Sequence, residues 1–223
     1  RSLQSSFVYN ANPSRVVFGV GTRAQLPAEL DRLGIKSAII LATANQRDDA
    51  KALAKLIEGR LAAEFHGAVM HTPVEVTKQA LEIVEREKVD GIISIGGGSS
   101  TGLGKALALR TDLPQIVLPT TYAGSEMTPI LGETENGEKK TVSSQKVLPE
   151  SVIYDVELTL SLPVGLSGTS GINAMAHAVE ALYARERNPI IDLLALEAVS
   201  SLAEALPAIS KNPSNMDARR LAL

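Results

Sequence analysis

The sequence predicts an α/β fold, with a parallel sheet covered by helices on both faces, followed by an all-α region. Short apolar runs alternate with helical patterns through the first two-thirds of the 223 residues, an alternation that is typical of parallel sheets. Beyond Pro163 the strand patterns end, and Ala, Leu, Glu and Ser dominate. We therefore place a domain boundary near residue 160, with an α/β domain over 1–160 and the first part of a helical domain over 161–223.

Five apolar runs of the first domain have the length of buried strands, and helical patterns with one apolar face separate most of them. Asn136-Gly137 is a two-residue sequence that strongly favours a tight hairpin. The predicted strands are 15–19, 37–42, 89–95, 115–119 and 152–155, and the predicted helices are 26–33, 46–61, one that opens at 72–74, and 99–109.

Two long helices are predicted after the boundary, over 172–185 and 190–209. The final helical pattern, 216–223, has no cap or stop signal. Two or three helices make a poor domain by themselves. We therefore expect the helical domain to be truncated in this chain.

Composition and charge exclude several classes of partner. The chain has no cysteine and a net charge of −3, so disulfides and thiolate metal sites are excluded and a nucleic-acid partner is not expected. No apolar run reaches the roughly 18 residues of a membrane helix, and the sequence shows no secretory signal, so we expect no membrane contact and a cytoplasmic location.

The main candidate for a ligand site is the glycine run that follows the third predicted strand. Gly96, Gly97, Gly98 and Ser99 lie between a strand and a helix. Glycine lets backbone N–H groups approach a phosphate, and the helix N-terminus adds partial positive charge. In an open α/β sheet this loop must lie at the carboxyl ends of the strands, where ligands bind. A tight turn without a ligand is the alternative, and Gly19-Val20-Gly21 is a weaker candidate of the same kind.

Several motifs in register resemble the iron-containing alcohol dehydrogenase family. They are Gly96 to Ser99 with Lys105, Leu118-Pro119-Thr120-Thr121, Gly124-Ser125-Glu126-Met127-Thr128, Asp155, Leu162-Pro163, and 171–181, which includes Asn173 and His177. The resemblance implies a Rossmann-like dinucleotide domain followed by an all-helical domain, as in dehydroquinate synthase-like folds, with the active site in the cleft. It also implies a homodimer.

The resemblance further implies NADH or NADPH as the cofactor. The cofactor would contact Gly96, Gly97, Gly98, Ser99, Thr120, Thr121, Ser125 and Thr43. Lys140 would lie near the nicotinamide ribose, and Leu158 would line the nicotinamide pocket. Thr43 follows a strand at the place where a carboxylate would bind the adenosine ribose and repel a 2′-phosphate. Since no carboxylate lies at 42–46, NADPH is not excluded. For Lys140, an exposed hairpin lysine is the alternative.

Segments 67–74 and 99–105 look like the maleylacetate reductase branch of that family, which reduces the C=C bond of maleylacetate to 3-oxoadipate in bacterial degradation of resorcinol, hydroxyquinol and chlorinated aromatics. Its members are typically metal-independent. Three positions depart from the wider family pattern: Gly102 and Asn173 each stand where an Asp is usual, and Tyr122 replaces a small residue.

The candidate catalytic residues are His177, Asn173 and Tyr122. Asn173 and His177 are four residues apart, so a helix would present them on one face. Asn is a weaker ligand than Asp, so we expect both to bind a small dicarboxylate substrate and expect no metal. The alternatives are a metal-dependent alcohol dehydrogenase of the same family and a nucleotide-binding module without chemistry.

Overall fold

The computed structural model describes residues 6–223. Six strands form one parallel sheet, in the order β1-β8-β5-β4-β2-β3, and the other two form an antiparallel hairpin. The strands are β1 (Arg15–Gly19), β2 (Ala38–Leu41), β3 (Leu61–Phe65), β4 (Gly91–Gly96), β5 (Gln115–Pro119), β6 (Ile130–Glu135), β7 (Glu138–Ser143) and β8 (Ser151–Asp155). The predicted α/β class is confirmed, because helices follow most strands of the parallel sheet.

Four helices cover the two faces of the sheet: α1 (Leu26–Leu33), α2 (Arg47–Leu56), α3 (Val74–Arg86) and α4 (Gly98–Thr111). Neighbouring residues of a strand point to opposite faces. Ile93 accordingly packs in the cluster that contains residues of α1 and α2, whereas Ile92 packs in the cluster of α3 and α4. The sheet is therefore buried on both sides.

The prediction of one helix over 46–61 was wrong. Helix α2 ends at Leu56, and β3 follows as an edge strand paired to β2. The strand sequence Leu-Ala-Ala-Glu-Phe is only half-buried and is rich in helix formers, so its local preference favours a helix. Gly59 weakens that helix, and pairing with the exposed edge of β2 decides the outcome.

The hairpin at Asn136-Gly137 is confirmed. It joins β6 to β7, and both turn residues have positive φ, 52° at Asn136 and 80° at Gly137. A type I′ turn requires this backbone geometry at both central positions.

Three helices follow the sheet: α5 (Val164–Tyr183), α6 (Pro189–Lys211) and α7 (Met216–Ala222). Helix α5 begins eight residues before the predicted position 172, because glycine and serine weaken the local signal in 164–171 while packing against α6 supports the helix. The small core of this part also includes Tyr122, which comes from the turn after β5. Among residues 6–223, no helix combines the length and apolar character that a membrane crossing needs.

Candidate functional site

The carboxyl ends of β2, β4 and β5 lie side by side, because these strands are parallel and adjacent in the sheet. Thr43 follows β2, the glycine run follows β4, and Thr120 follows β5. The sheet therefore brings together three of the sequence segments that were predicted to contact a ligand.

Glycine stands at the three positions of the run for different physical reasons. Gly96 has φ 137°, and a Cβ on it would overlap the side-chain oxygen of Gln46 and lie 2.8 Å from Ser100 Oγ. A Cβ on Gly97 would lie 2.9 Å from Thr121 Cγ2. At Gly98 an added Cβ meets no heavy atom within 4 Å. Packing inside the protein thus requires the first two glycines, and the third faces open space.

The open space lies at the N-terminus of α4, which begins at Gly98 and has no side-chain cap. The first N–H groups of a helix have no partner within it, and they favour an anion there. Two buried hydroxyl oxygens, Ser100 Oγ and Ser125 Oγ, also have no partner among the described residues. Ser99 is half-buried beside them. This arrangement can bind a phosphate group.

Gln46 links the ends of β2 and β5, a role that no sequence pattern predicted. Its amide nitrogen donates to Thr120 Oγ1 at 2.7 Å, and its amide oxygen accepts from Thr43 Oγ1 at 3.1 Å. The backbone N–H of Thr120 donates to the carbonyl of Gly96 at 3.0 Å. The side chains of Thr43 and Thr120 are therefore positioned through Gln46.

Gln46→Leu is expected to lower the free energy of unfolding by about 1–2 kcal/mol, because it leaves the buried Thr120 hydroxyl without its donor. Urea unfolding followed by circular dichroism measures this loss. The matched control is Gln79→Leu on the exposed side of α3, which is expected to change the value by less than about 0.5 kcal/mol. Equal effects of the two substitutions would contradict the role of Gln46.

The segment from Gly124 to Ile130 packs against helix α4. Lys105 of α4 donates from Nζ to the carbonyls of Thr128 and Ile130, both at 2.8 Å, and to that of Ser125. Burial lowers the pKa of Lys105 to about 8, against the attraction of Glu126. Burial raises the pKa of Glu126, whose carboxylate accepts a hydrogen bond from the Tyr154 hydroxyl at 2.7 Å.

The two segments singled out by the sequence, 67–74 and 99–105, pack against each other. A Cβ on Gly102 would overlap Thr72 Oγ1. Thr72 is buried, and both it and His71 have positive φ, 45° and 68°. Glycine at 102 therefore follows from the close approach of the Thr72 side chain.

The loop Gly19-Val20-Gly21 closes onto the end of β8 instead of opening on the glycine run. Asp155, which is fully buried, accepts from the N–H of Gly21 at 2.9 Å and from that of Arg23 at 3.1 Å. The N–H of Gly21 is thus used within the protein.

Tyr122 connects the sheet to the helical part. It is 6% exposed, its N–H donates to Ser170 Oγ at 3.0 Å, and its hydroxyl accepts from Arg219 Nη1 at 3.1 Å. Arg219 is fully buried and also donates to Ser167 Oγ at 2.7 Å and to the Leu162 carbonyl at 3.2 Å. Arg219 was not predicted as a functional residue, since an arginine in a helix is ordinarily at the surface.

Asn173 and His177 lie on one face of α5, as their spacing predicts. Asn173 Nδ2 lies 3.4 Å from His177 Nε2, and His177 Nδ1 lies 3.4 Å from a carboxylate oxygen of Glu180. His177 is 64% exposed, so its imidazole is accessible to a ligand. Among the described residues, no three His, Asp or Glu side chains form a group that could hold a metal ion.

Two predicted cofactor contacts lie elsewhere. Lys140 is exposed on β7, where it pairs with Glu135 at 3.0 Å. Leu158 is 4% exposed and packs in the core cluster on the α1 and α2 face of the sheet. The structure therefore shows no contact between either side chain and the glycine run.

Comparison with known proteins agrees with this architecture. Residues 13–156 match the family model described as iron-containing alcohol dehydrogenase, and residues 167–223 match the model of the C-terminal part of that family. The chain belongs to the iron-containing alcohol dehydrogenase family, so the resemblance seen in the sequence motifs is confirmed.

Several of the similar proteins are maleylacetate reductases. The chain is 56% identical to maleylacetate reductase from Rhizobium sp. strain MTP-10005 over 97% of this chain and 62% of the relative, and 48% identical to maleylacetate reductase 1 from Rhodococcus opacus over 94% and 59%. The crystal structure of maleylacetate reductase from Agrobacterium tumefaciens superposes with a TM-score of 0.96 at 55% identity, over 98% of this chain and 63% of that structure. The chain thus spans about three-fifths of the length of these relatives.

Proposed function

We propose that this protein is a maleylacetate reductase, which uses NADH or NADPH to reduce the C=C bond of maleylacetate to 3-oxoadipate. The observation that carries the proposal is the anion-binding helix N-terminus at the ends of β4 and β5, in a chain 56% identical to a maleylacetate reductase. The domain division at 160, with the dinucleotide site in the first domain, is part of this proposal.

The cofactor phosphates would bind the N–H groups at Gly97, Gly98 and Ser99. The unpartnered hydroxyls of Ser100 and Ser125 fit a ligand rich in acceptor oxygens. Thr43, Thr120 and Thr121 would complete the nucleotide contacts, with Gly96 giving the close backbone approach. Lys140 and Leu158, which lie away from the glycine run, would belong to the nicotinamide end of the cofactor, Lys140 near its ribose and Leu158 in its pocket.

The reaction is a conjugate reduction, which adds two hydrogens across the double bond. The bound cofactor supplies a hydride to one carbon of that bond. The neighbouring carbon takes a proton, and negative charge develops on the substrate between the two events. Asn173 and His177 are suited to stabilise that charge, because neutral or cationic hydrogen-bond donors can do so. Tyr122 would position α5 through its hydrogen bond with Ser170, and would thereby act on the substrate through the residues of that helix.

We propose a metal-independent reaction, although the family is named for iron. In residues 6–223, the expected position holds Asn173, a weak ligand, and His177, a strong one, with the carboxylate of Glu180 3.4 Å from His177 Nδ1. No third His, Asp or Glu joins His177 and Glu180. This donor set does not fit a divalent metal. No step is therefore assigned to one.

The full-length protein, treated with a strong chelator, is expected to oxidise NADH when freshly prepared maleylacetate is added. The loss of NADH absorbance gives the rate. Activity that returns only with iron or zinc would contradict the metal-independent reaction. Oxidation of a simple alcohol without reduction of maleylacetate would identify the protein as an alcohol dehydrogenase. NADH binding without turnover would identify it as a nucleotide-binding module.

His177→Gln is expected to lower kcat with maleylacetate about 100-fold, which is typical for the loss of a proton donor or of charge stabilisation. NADH affinity should change little, since His177 lies on α5 and not at the glycine run. His66→Gln serves as the control, because His66 pairs with Glu64 beside β3. A kcat for His177→Gln within about threefold of the unsubstituted protein would exclude His177 from the chemistry.

We further propose that the protein accepts either NADH or NADPH, forms a homodimer and has a cytoplasmic location. The absence of a carboxylate near Thr43 supports the use of both cofactors, since neither 2′-group would be repelled.

A further inference from the structure

Lys105 is a fully buried lysine whose hydrogen bonds all go to one neighbouring segment. It is 1% exposed. Besides the carbonyls of Ser125, Thr128 and Ile130, its ammonium contacts Thr128 Oγ1 at 3.1 Å. Among residues 6–223, no carboxylate forms a hydrogen bond with it. Burying an ammonium without a carboxylate partner costs free energy. The acceptor oxygens of the neighbouring segment are therefore what stabilises the charge of Lys105.

The contacted segment has little regular structure of its own before Ile130, the first residue of β6. It begins at Gly124, which has φ 82°, continues as one short 3-10 turn over Ser125–Met127, and passes Pro129 before β6. Three of its carbonyls converge on a single donor group. Ser125, whose buried hydroxyl has no partner among the described residues, is part of this segment.

Helix α4 therefore contacts both parts of the candidate site, the glycine run and the Gly124–Ile130 segment. The N-terminus of α4 at Gly98 faces the open space, and Lys105 lies seven residues, about 10 Å, further along the same helix. Any movement of the Gly124–Ile130 segment relative to the glycine run would have to break these hydrogen bonds. Resting on the proposed function, we infer that Lys105 is a positioning residue that sets the place of the Gly124–Ile130 segment, and with it Ser125, for NADH or NADPH binding.

The titration of Lys105 gives this role a measurable signature. The pKa of Lys105 is lowered to about 8 by burial, and the charged group acting on it is Glu126, which is bonded to Tyr154 of β8. The other charges on or beside α4 are in the pairs Arg110–Glu133 and Lys146–Asp112. A neutral amine offers two N–H donors where the ammonium offers three. The attachment of the segment, and cofactor affinity with it, should weaken as the pH rises through about 8.

A change in the global stability of the protein would not produce the same loss of cofactor affinity. The pKa of Lys105 in the folded protein lies below its ordinary value of 10.5. Between these two values the unfolded chain binds more protons, so the contribution of this group to the unfolding free energy increases with pH. A fall in affinity above pH 8, with unchanged or greater stability, therefore points to the local attachment.

The test measures NADH dissociation constants by the fluorescence of bound NADH, at several values between about pH 6.5 and 9.5. The full-length protein should bind about tenfold more weakly at the upper end than at neutral pH, whereas Lys105→Met should bind about tenfold more weakly at neutral pH and show no further loss. The control is Lys36→Met, because Lys36 is exposed and precedes β2, at the end of the strands opposite to the glycine run. This control should follow the unsubstituted protein.

Unchanged affinity and pH dependence in Lys105→Met would overturn the inference. If Lys105→Met does not fold, the pH dependence of the unsubstituted protein still tests the inference. An NADH affinity that stays constant through pH 8 also overturns the inference. Failure of the unsubstituted protein to bind NADH at any pH would instead reject the proposed function, and the inference with it.

Discussion

Gly98→Asp is expected to abolish cofactor binding while leaving the fold intact. A Cβ added at position 98 meets no heavy atom within 4 Å, and an acidic residue in the first turn of a helix is favoured by the helix dipole. The new carboxylate would occupy the proposed phosphate position and repel it. We expect NADH to bind at least about 100-fold more weakly, which is about 3 kcal/mol.

Titration of NADH measures the affinity, and urea unfolding should show a change below about 0.5 kcal/mol. Gly98→Ala is the matched variant without the charge, and it should retain most of the affinity. NADH binding by Gly98→Asp within about threefold of the unsubstituted protein would show that the phosphate does not bind at this helix N-terminus.

Arg219→Met is expected to lower the free energy of unfolding by about 3 kcal/mol, because it leaves several buried polar groups without a donor. The affected acceptors include the Leu162 carbonyl, the Tyr122 hydroxyl and Ser167 Oγ. Removing a buried charge that has no carboxylate partner gives back part of its desolvation cost, but Met cannot donate to any of these atoms. The loss of hydrogen bonds should therefore dominate.

Chemical unfolding of the full-length protein measures this change. Arg220 is adjacent in α7 and exposed, so Arg220→Met removes the same charge with an expected change below about 0.5 kcal/mol. Equal losses for the two variants would mean that the buried hydrogen bonds of Arg219 do not hold α7 to the turn at Tyr122.

The sequence by itself determined the parallel sheet, the hairpin and the glycine loop, because each has a local signal. Buried strands are short apolar runs, as in β5, whose predicted bounds match those of the structure. Asn136-Gly137 is specific because few residues adopt positive φ. The spacing of Asn173 and His177 also determined that they share a face of α5, since helix geometry fixes which residues are neighbours.

Only the tertiary structure decided the partners of buried polar groups. Gln46 and Thr120 are 74 residues apart, and Arg219 and Tyr122 are 97 apart, so no local pattern connects them. Strand β3 depends in the same way on the free edge of β2. The physical reason is that periodicity reports which face of an element is apolar, whereas the strand order brings particular donors and acceptors together. Lys105 was recognisable in the sequence as part of a motif, but its contacts with the Ser125–Ile130 segment became visible only once the chain was folded.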